Sequence, residues 1–212
     1  MKKKRLSQTE RRTQIIEVAM RLFANKGFKG TTTRAIAKLA GVSEAIIFRH
    51  FETKEDLYDA IISHTIEKRV LFWEQDESNL YDQNDLEVLL RNFAETYIMR
   101  NRTDPTFIRL MMYSALEDHK FREKFLQINR SHQMTAIRRA LDAGIKNGTY
   151  RPVDAHLTIR TFFWTLLQYC TSQFIARTRS DDPDRDRAVI DNLVGIFING
   201  LIAVPASRVE ST

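Results

Sequence analysis

The stretch from Thr33 to Lys54 constrains the fold more strongly than any other part of this chain. It contains two short runs with apolar residues at helical spacing, and Gly41 separates them. Glycine adopts the positive φ that ends one helix and turns the chain, and Ser43 is a good N-cap for the helix that follows. The pattern therefore predicts two short helices that cross closely, as in a helix-turn-helix motif.

Further helices are predicted on both sides of this motif. Ser7 and Glu10 have the spacing of a capping box before a run of apolar residues at helical spacing, which ends at residues 25–27, Asn-Lys-Gly. Thr53 and Asp56 repeat the capping pattern before another apolar stripe. Three helices and the start of a fourth are thus predicted within one short segment.

The positive charge of the chain is concentrated in this segment. Residues 1–54 contain 13 Lys and Arg against 4 Asp and Glu, whereas the remaining residues contain 20 against 23. Such an asymmetry fits a surface that binds phosphate groups, although charge alone fits equally well a basic surface without a partner. The basic tail at residues 2–5 either adds contacts to DNA or is a solvated terminus.

The outer face of the second motif helix carries side chains that suit DNA. Small residues let a backbone approach a groove, cations donate to phosphates, and arginine also contacts guanine edges. Hydroxyls at the start of the preceding helix can likewise bind phosphate. The alternative is an ordinary helical hairpin with solvated charges. The candidates are Glu44, Ala45, Phe48, Arg49, His50 and Lys54 on one side, and Thr31, Thr32, Thr33 and Arg34 on the other.

About a quarter of the chain, from RRTQIIEVAMRLFANKGFKG through TTTRAIAKLAGVSEAIIFRHFETKEDLYDAI, resembles the N-terminal domain of TetR-family transcriptional repressors. In that family this domain binds operator DNA, while the C-terminal helices bind a small inducer and form a dimer. The resemblance implies DNA contacts from one set of residues: Thr33, Arg34, Ser43, Ala45, Ile46, Phe48, Arg49, His50 and, to a backbone phosphate, Lys54.

One position departs from the family pattern. Phe48 and Arg49 stand where family members often have two tyrosines, or a tyrosine followed by another residue. Phenylalanine has no hydroxyl, so Phe48 can contribute only packing, for instance against a thymine methyl group.

Composition predicts an all-α protein of about nine helices, because apolar residues make up 43% of the chain and only seven glycines and four prolines interrupt it. We expect a helix-turn-helix domain at residues 8–54, a linking fourth helix at 54–73, and a ligand-binding and dimerisation domain at 75–204. A single cysteine, Cys170, suits a reducing cytoplasm. No apolar run is long enough for a membrane span and no signal-peptide pattern is present, so we expect no membrane partner.

The last two predicted helices are apolar on more than one side. One side can face the core of the same chain, and the other favours a second copy, giving a four-helix bundle between protomers. The alternative is a pair of central helices buried within a monomer. The predicted dimer residues are Leu157, Phe162, Leu166, Phe174, Val189, Leu193 and Phe197.

The middle helices are rich in aromatic residues and methionines, a composition typical of an ordinary core. The family resemblance adds the expectation of a pocket there for an apolar or aromatic inducer, oriented by a few polar side chains. His132 lies on an apolar stripe, where a histidine is more often part of the core than a ligand contact. The predicted ligand residues are Phe93, Tyr97, Met111, Met112, Phe125, His132, Phe163, Gln168 and Tyr169.

No catalytic motif or metal-binding pattern is found, and the five histidines are dispersed. Aspartates at residues 181–186 could hold a hard cation, but negative charge at a helix N-terminus is the simpler explanation. We therefore predict a DNA-binding repressor without catalysis, metal or cofactor. The alternatives are a helical enzyme or cofactor-binding bundle with an incidental basic N-terminus, and a protein that binds RNA or a membrane surface.

Overall fold

The computed structural model describes residues 6–75, 83–117, 132–175 and 182–203, which form nine α-helices and contain no β-strand. The predicted all-α class is confirmed. The helices are α1 Gln8–Lys26, α2 Thr33–Ala40, α3 Glu44–His50, α4 Lys54–Gln75, α5 Leu86–Thr103, α6 Thr106–Leu116, α7 His132–Lys146, α8 Ala155–Ile175 and α9 Pro183–Leu201. Phe125 lies outside the described residues, as do the side chains of His132 and Phe174.

The chain folds into two compact units. The described parts of residues 1–72 and 104–129 form the first unit, and those of residues 73–103 and 130–212 form the second. Helix α6 follows the predicted domain boundary at residue 75, yet it packs against α1 and belongs to the first unit. The first unit therefore contains α1–α4 and α6, and its helices are not continuous in sequence.

Capping boxes begin two helices of the first unit, as the sequence predicts. At α1 the Glu10 backbone N–H donates to Ser7 Oγ over 3.2 Å, and the Ser7 N–H donates to the Glu10 carboxylate over 2.7 Å. Thr53 and Asp56 exchange the same pair of bonds at the start of α4. Each cap satisfies backbone donors that a helix start leaves without intrahelical partners.

The second unit contains α5, α7, α8 and α9, and α5 contacts the other three. Asp85 caps α5, because its Oδ1 accepts the N–H of Val88 over 3.2 Å. At α9 the Asp182 carboxylate accepts the N–H groups of Asp184 and Arg185. Asp182 is therefore the N-cap of α9, and Asp184 and Asp186 lie in its first turn, where negative charge is favourable.

Three residues of the predicted dimer surface expose little area. Phe162 and Leu166 on α8 and Leu193 on α9 are buried within the chain, so they offer little surface to a partner. Val189 and Phe197 are half-buried, and Phe197 packs edge-on against Phe162. Among the described side chains of these two helices, the large apolar ones that are exposed are Leu157, Trp164 and Ile196.

The turn after α1 needs a glycine for two reasons. Gly27 has φ 71° and ψ 177°, a combination that only glycine adopts readily. A Cβ atom at this position would lie 2.7 Å from Cδ1 of Tyr113, because α6 approaches the backbone closely here. Gly41 also has a positive φ, 67°, but no atom lies within 4 Å of a Cβ built there.

Alanine variants at these two glycines separate the energetic cost of backbone strain from that of steric crowding. We expect Gly41→Ala to lower the free energy of unfolding by about 1–2 kcal/mol, the cost of the left-handed conformation. Gly27→Ala should cost about 3–4 kcal/mol, because the ring of Tyr113 must also move. Urea denaturation of both variants measures the difference. Equal losses would show that the close approach of α6 is easily relaxed.

Candidate functional site

The helix-turn-helix motif is held together by a small buried core. At Gly41 the chain is left-handed, and the N–H of Val42 donates to the Ala37 carbonyl over 3.0 Å, which closes the end of α2. Ser43 stands at the N-cap position of α3, although its side chain makes no capping hydrogen bond. The predicted inward residues are buried: Ile36, Ala37, Ala40, Ile47 and Phe51. Val42 is half-buried.

The opposite face of α3 is open to solvent. Ala45, Phe48 and Arg49 are exposed, and the Phe48 ring retains 48% of its accessible surface. Glu44, Ile46 and His50 are half-buried beside them. An exposed aromatic ring buries little surface within its own chain, so it contributes little to the stability of the fold. Its apolar surface is instead available for contact with a binding partner.

The threonines before α2 take three different roles. Thr31 is buried and its hydroxyl donates to the Gly27 carbonyl over 2.8 Å, so it cannot bind phosphate as predicted. Thr32 is exposed and caps α2 by accepting the N–H of Ala35. Thr33 donates its hydroxyl to the Glu44 carboxylate over 2.7 Å, which joins the starts of α2 and α3. Arg34 is exposed next to them.

Lys54, the first residue of α4, lies over an aromatic cluster. Its Nζ is 4.1 Å from the centroid of the Phe28 ring and 6.0 Å from that of Phe23. Phe23, Phe28 and Tyr58 pack on one another with centroid separations of 5.2–5.7 Å. The ammonium group is attracted to the negative face of the ring, which holds a flexible side chain near one position.

A second cation is held in a similar way. The guanidinium carbon of Arg12, on α1, lies 4.8 Å from the centroid of the Phe51 ring, at the end of α3. Arg12 is exposed and adds positive charge beside the motif. Its proximity to Phe51 is not predictable from spacing, because the two residues are far apart in sequence and meet only when α1 packs on the motif.

Side chains of α6 bind the backbone where α1 ends. Arg109 Nε donates to the Ala24 carbonyl over 2.6 Å, and the Tyr113 hydroxyl donates to the Asn25 carbonyl over 3.2 Å. The Glu117 carboxylate, just beyond α6, accepts the N–H of Phe28 over 2.8 Å and that of Lys29 over 3.2 Å. Sequence reasoning missed all three residues, because their partners are distant backbone atoms.

An aromatic cluster lies inside the second unit. Phe93 and Tyr97 on α5 are buried, and both pack against Phe163 on α8, with centroid separations of 6.4 and 5.5 Å. Asn101, one turn after Tyr97, is also buried and its Nδ2 donates to the Tyr97 carbonyl. Among the described residues, no hydrogen-bond donor reaches its Oδ1. The sequence analysis did not identify Asn101.

The remaining predicted ligand residues are placed differently. Gln168 is exposed, and Met111 and Met112 are half-buried on α6 of the first unit. Tyr169 is half-buried, but its hydroxyl donates to Asp186 over 2.7 Å, and the other oxygen of Asp186 lies 2.6 Å from Arg102 Nη2. Burial, followed by the hydrogen bond to Asp186, raises the pKa of Tyr169 to about 12. This hydroxyl thus links α8 to α9.

Within the described ranges, His, Cys, Asp and Glu side chains form no group of three that could hold a metal ion. None of the described helices combines the length and apolarity that crossing a membrane requires.

Comparison with known proteins gives consistent matches. Residues 15–61 match the family of bacterial regulatory proteins called the tetR family. An uncharacterised helix-turn-helix transcriptional regulator of Bacillus subtilis, YvkB, is 44% identical over 68 residues, which cover 32% of this chain and 36% of that protein. The repressor KstR2 of Rhodococcus jostii is 29% identical over 159 residues, covering 71% and 73% of the two chains.

Solved structures share the fold at lower identity. The regulator FadR from Bacillus subtilis, determined in complex with stearoyl-CoA, superposes with a TM-score of 0.71 at 19% identity. The match covers 89% of this chain and 98% of FadR. At this level of identity the similarity establishes the fold alone.

The Tyr169 hydrogen bond has a consequence for alkaline stability. The folded state keeps Tyr169 protonated, so its contribution is complete below the unfolded pKa of 10.0 and is lost as the pH rises through about 12. Tyr169→Phe should lower the free energy of unfolding by about 1–2 kcal/mol at pH 7, and the deficit should shrink above pH 10. Urea denaturation from pH 7 to 11 measures it. A deficit that does not change with pH would contradict this assignment.

Proposed function

Because this chain is a DNA-binding transcriptional regulator of the tetR family, we propose that it is a repressor that leaves its operator when a small molecule binds. The observation that carries the proposal is the α3 face, which exposes Phe48 and Arg49 while Ile47 anchors the same helix in the core. The basic charge excess of residues 1–54 favours the approach of this face to phosphate groups.

We assign α3 to the major groove, where an α-helix fits and every base pair can be distinguished. Arg49 and His50 donate to base edges, and Phe48 packs against a thymine methyl group. Glu44, oriented by Thr33, is suited to accept from the amino group of cytosine. Lys54 contacts a backbone phosphate. The small side chains of Ser43 and Ala45 allow the close approach to DNA. The interface is completed by Thr32, Arg34 and Ile46.

A homodimer would present two such faces. Leu157 and Trp164 on α8 and Ile196 on α9 are about half exposed or more, and they supply apolar surface that a second copy can cover. Half-sites one turn of DNA apart require recognition helices separated by about 34–36 Å, which a two-fold dimer can provide. We propose that α8 and α9 of two protomers form a four-helix bundle, with the three exposed residues replacing the buried ones in the predicted interface.

The inducer site is proposed in the interior of the second unit. Phe93, Tyr97 and Phe163 provide apolar and aromatic surface, and the Oδ1 of Asn101, which accepts no hydrogen bond from the part of the chain that is described, favours a hydrogen-bond donor. An apolar molecule with a hydroxyl or amide group meets both requirements. The FadR structure holds an acyl-CoA, which supports an apolar ligand in this fold. Induction follows if the ligand prefers a conformer whose α3 spacing does not fit the operator.

The relatives are named as regulators rather than enzymes, which favours regulation over the enzymatic alternative. A protein bound to an operator acts where the DNA is, so we propose a cytoplasmic location.

DNA binding can be tested with a footprint on the region upstream of the coding sequence. Arg49→Ala and His50→Ala should each weaken operator binding by about 1–3 kcal/mol and affect random DNA less, because base contacts carry the specificity. Lys54→Ala should weaken both equally and reduce the salt slope by about one unit. Equal losses on the two DNAs for Arg49→Ala would refute its base-contacting role.

The dimer surface is tested by introducing charge. Ile196→Glu should produce monomers in analytical ultracentrifugation and weaken operator binding more than tenfold, because each protomer then binds only one half-site. Met99→Glu, an equally exposed position on α5, serves as the matched control and should remain dimeric. A dimeric Ile196→Glu variant would exclude this part of α9 from the interface.

A further inference from the structure

We infer that Glu117 and Phe28 are positioning residues for Lys54, so that the end of α6 determines how well the first unit grips a DNA phosphate. The inference rests on the proposed phosphate contact of Lys54. All contacts involved lie within the first unit. They run from the Glu117 carboxylate to the Phe28 backbone, and from the Phe28 ring to the Lys54 ammonium group.

The first contact fixes the backbone of the turn. Glu117 accepts two successive N–H groups, those of Phe28 and Lys29, each on a different carboxylate oxygen. A carboxylate that accepts two backbone N–H groups forms charge-assisted bonds, which are stronger than bonds between neutral groups. Arg109 and Tyr113 simultaneously donate to carbonyls at the end of α1. Side chains on α6 and just beyond it therefore bind both the backbone carbonyls at the end of α1 and the backbone N–H groups of the turn.

The second contact connects this backbone to the cation. The Phe28 ring is only 9% exposed, and it stacks on Phe23 at 5.7 Å and meets Tyr58 edge-on at 5.2 Å. A ring confined in this way has one available position for a given backbone. Lys54 Nζ lies 4.1 Å from its centroid, so a shift of the Phe28 backbone moves the surface on which the ammonium group rests.

An aromatic partner leaves the positive charge of Lys54 available to DNA. A carboxylate partner would neutralise the ammonium group and compete with phosphate, whereas a ring restrains it through its quadrupole and leaves its N–H donors available. A lysine restrained before binding loses less side-chain freedom when the phosphate arrives. Glu117 thus strengthens DNA binding although its own charge repels DNA.

The charge of Glu117 should weaken DNA binding, whereas its positioning role should strengthen it. Because the two effects are opposite, the inference can be tested in the full-length protein. Glu117→Gln replaces one accepting oxygen with an NH2 group that faces a backbone N–H, and it also removes one negative charge. The lost charge alone would tighten binding to any duplex. Disrupted positioning should instead weaken binding to a fluorescently labelled duplex of arbitrary sequence by about three- to tenfold. It should also reduce the slope of log K against log salt concentration, by up to about one unit.

The matched control is Glu52→Gln, which makes the same charge change at an exposed residue in the turn between α3 and α4. This variant should bind as tightly as the wild type or more tightly. Phe28→Leu keeps an apolar side chain but removes the ring, and it should reproduce the smaller salt slope. Thermal unfolding identifies a temperature at which every variant is folded for the binding assay.

A double-mutant cycle with Lys54→Met decides whether Glu117 acts through Lys54. In the Lys54→Met background, Glu117→Gln should cause no further weakening. Equal weakening in both backgrounds, or a Glu117→Gln variant that binds as tightly as Glu52→Gln, would overturn the inference while leaving DNA binding intact. Wild-type protein without salt-dependent binding to any duplex would instead refute the proposed function itself.

Discussion

The fold of the first unit depends on hydrogen bonds to the polar backbone groups that follow α1. A helix end leaves carbonyls without intrahelical partners, and the sharp turn at Gly27 exposes the next N–H groups as well. Thr31 donates to the Gly27 carbonyl, Arg109 donates to the Ala24 carbonyl, and Glu117 accepts the following N–H groups. With these bonds in place, the turn can direct Phe28 into the core and α2 toward the motif.

The same turn controls which surface faces the solvent. Because Ile36, Ala37 and Ile47 are used to bury α2 and α3 against the rest of the unit, the opposite sides of these short helices remain open. Two cations, on Arg12 and Lys54, are restrained by aromatic rings that belong to this core. Packing and electrostatics are therefore coupled: the rings that stabilise the unit also position the charges on its surface.

Local patterns in the sequence predict local structure well. Ser7 with Glu10 and Thr53 with Asp56 are three residues apart, and each pair forms the hydrogen bonds that its spacing implies. The exposed face of α3 follows from the same helical period. Glu117 could not be predicted, since its partners are backbone N–H groups 88 and 89 residues away. Contacts of that kind depend on how helices pack, which a capping or periodicity rule does not describe.

In the second unit, helical periodicity does not predict which apolar side chains are buried. A helix that is apolar on several sides has more than one buried face, but its sequence does not say which face is covered by its own chain. In α8, Phe162 and Leu166 face the interior while Leu157 and Trp164 remain exposed, although all four are similarly apolar. Packing among several helices decides the difference, because α5 and α7 both contact α8, and Phe162 also packs against Phe197 of α9. The apolar surface that stays exposed on α8 and α9 is the surface that we propose a second protomer covers.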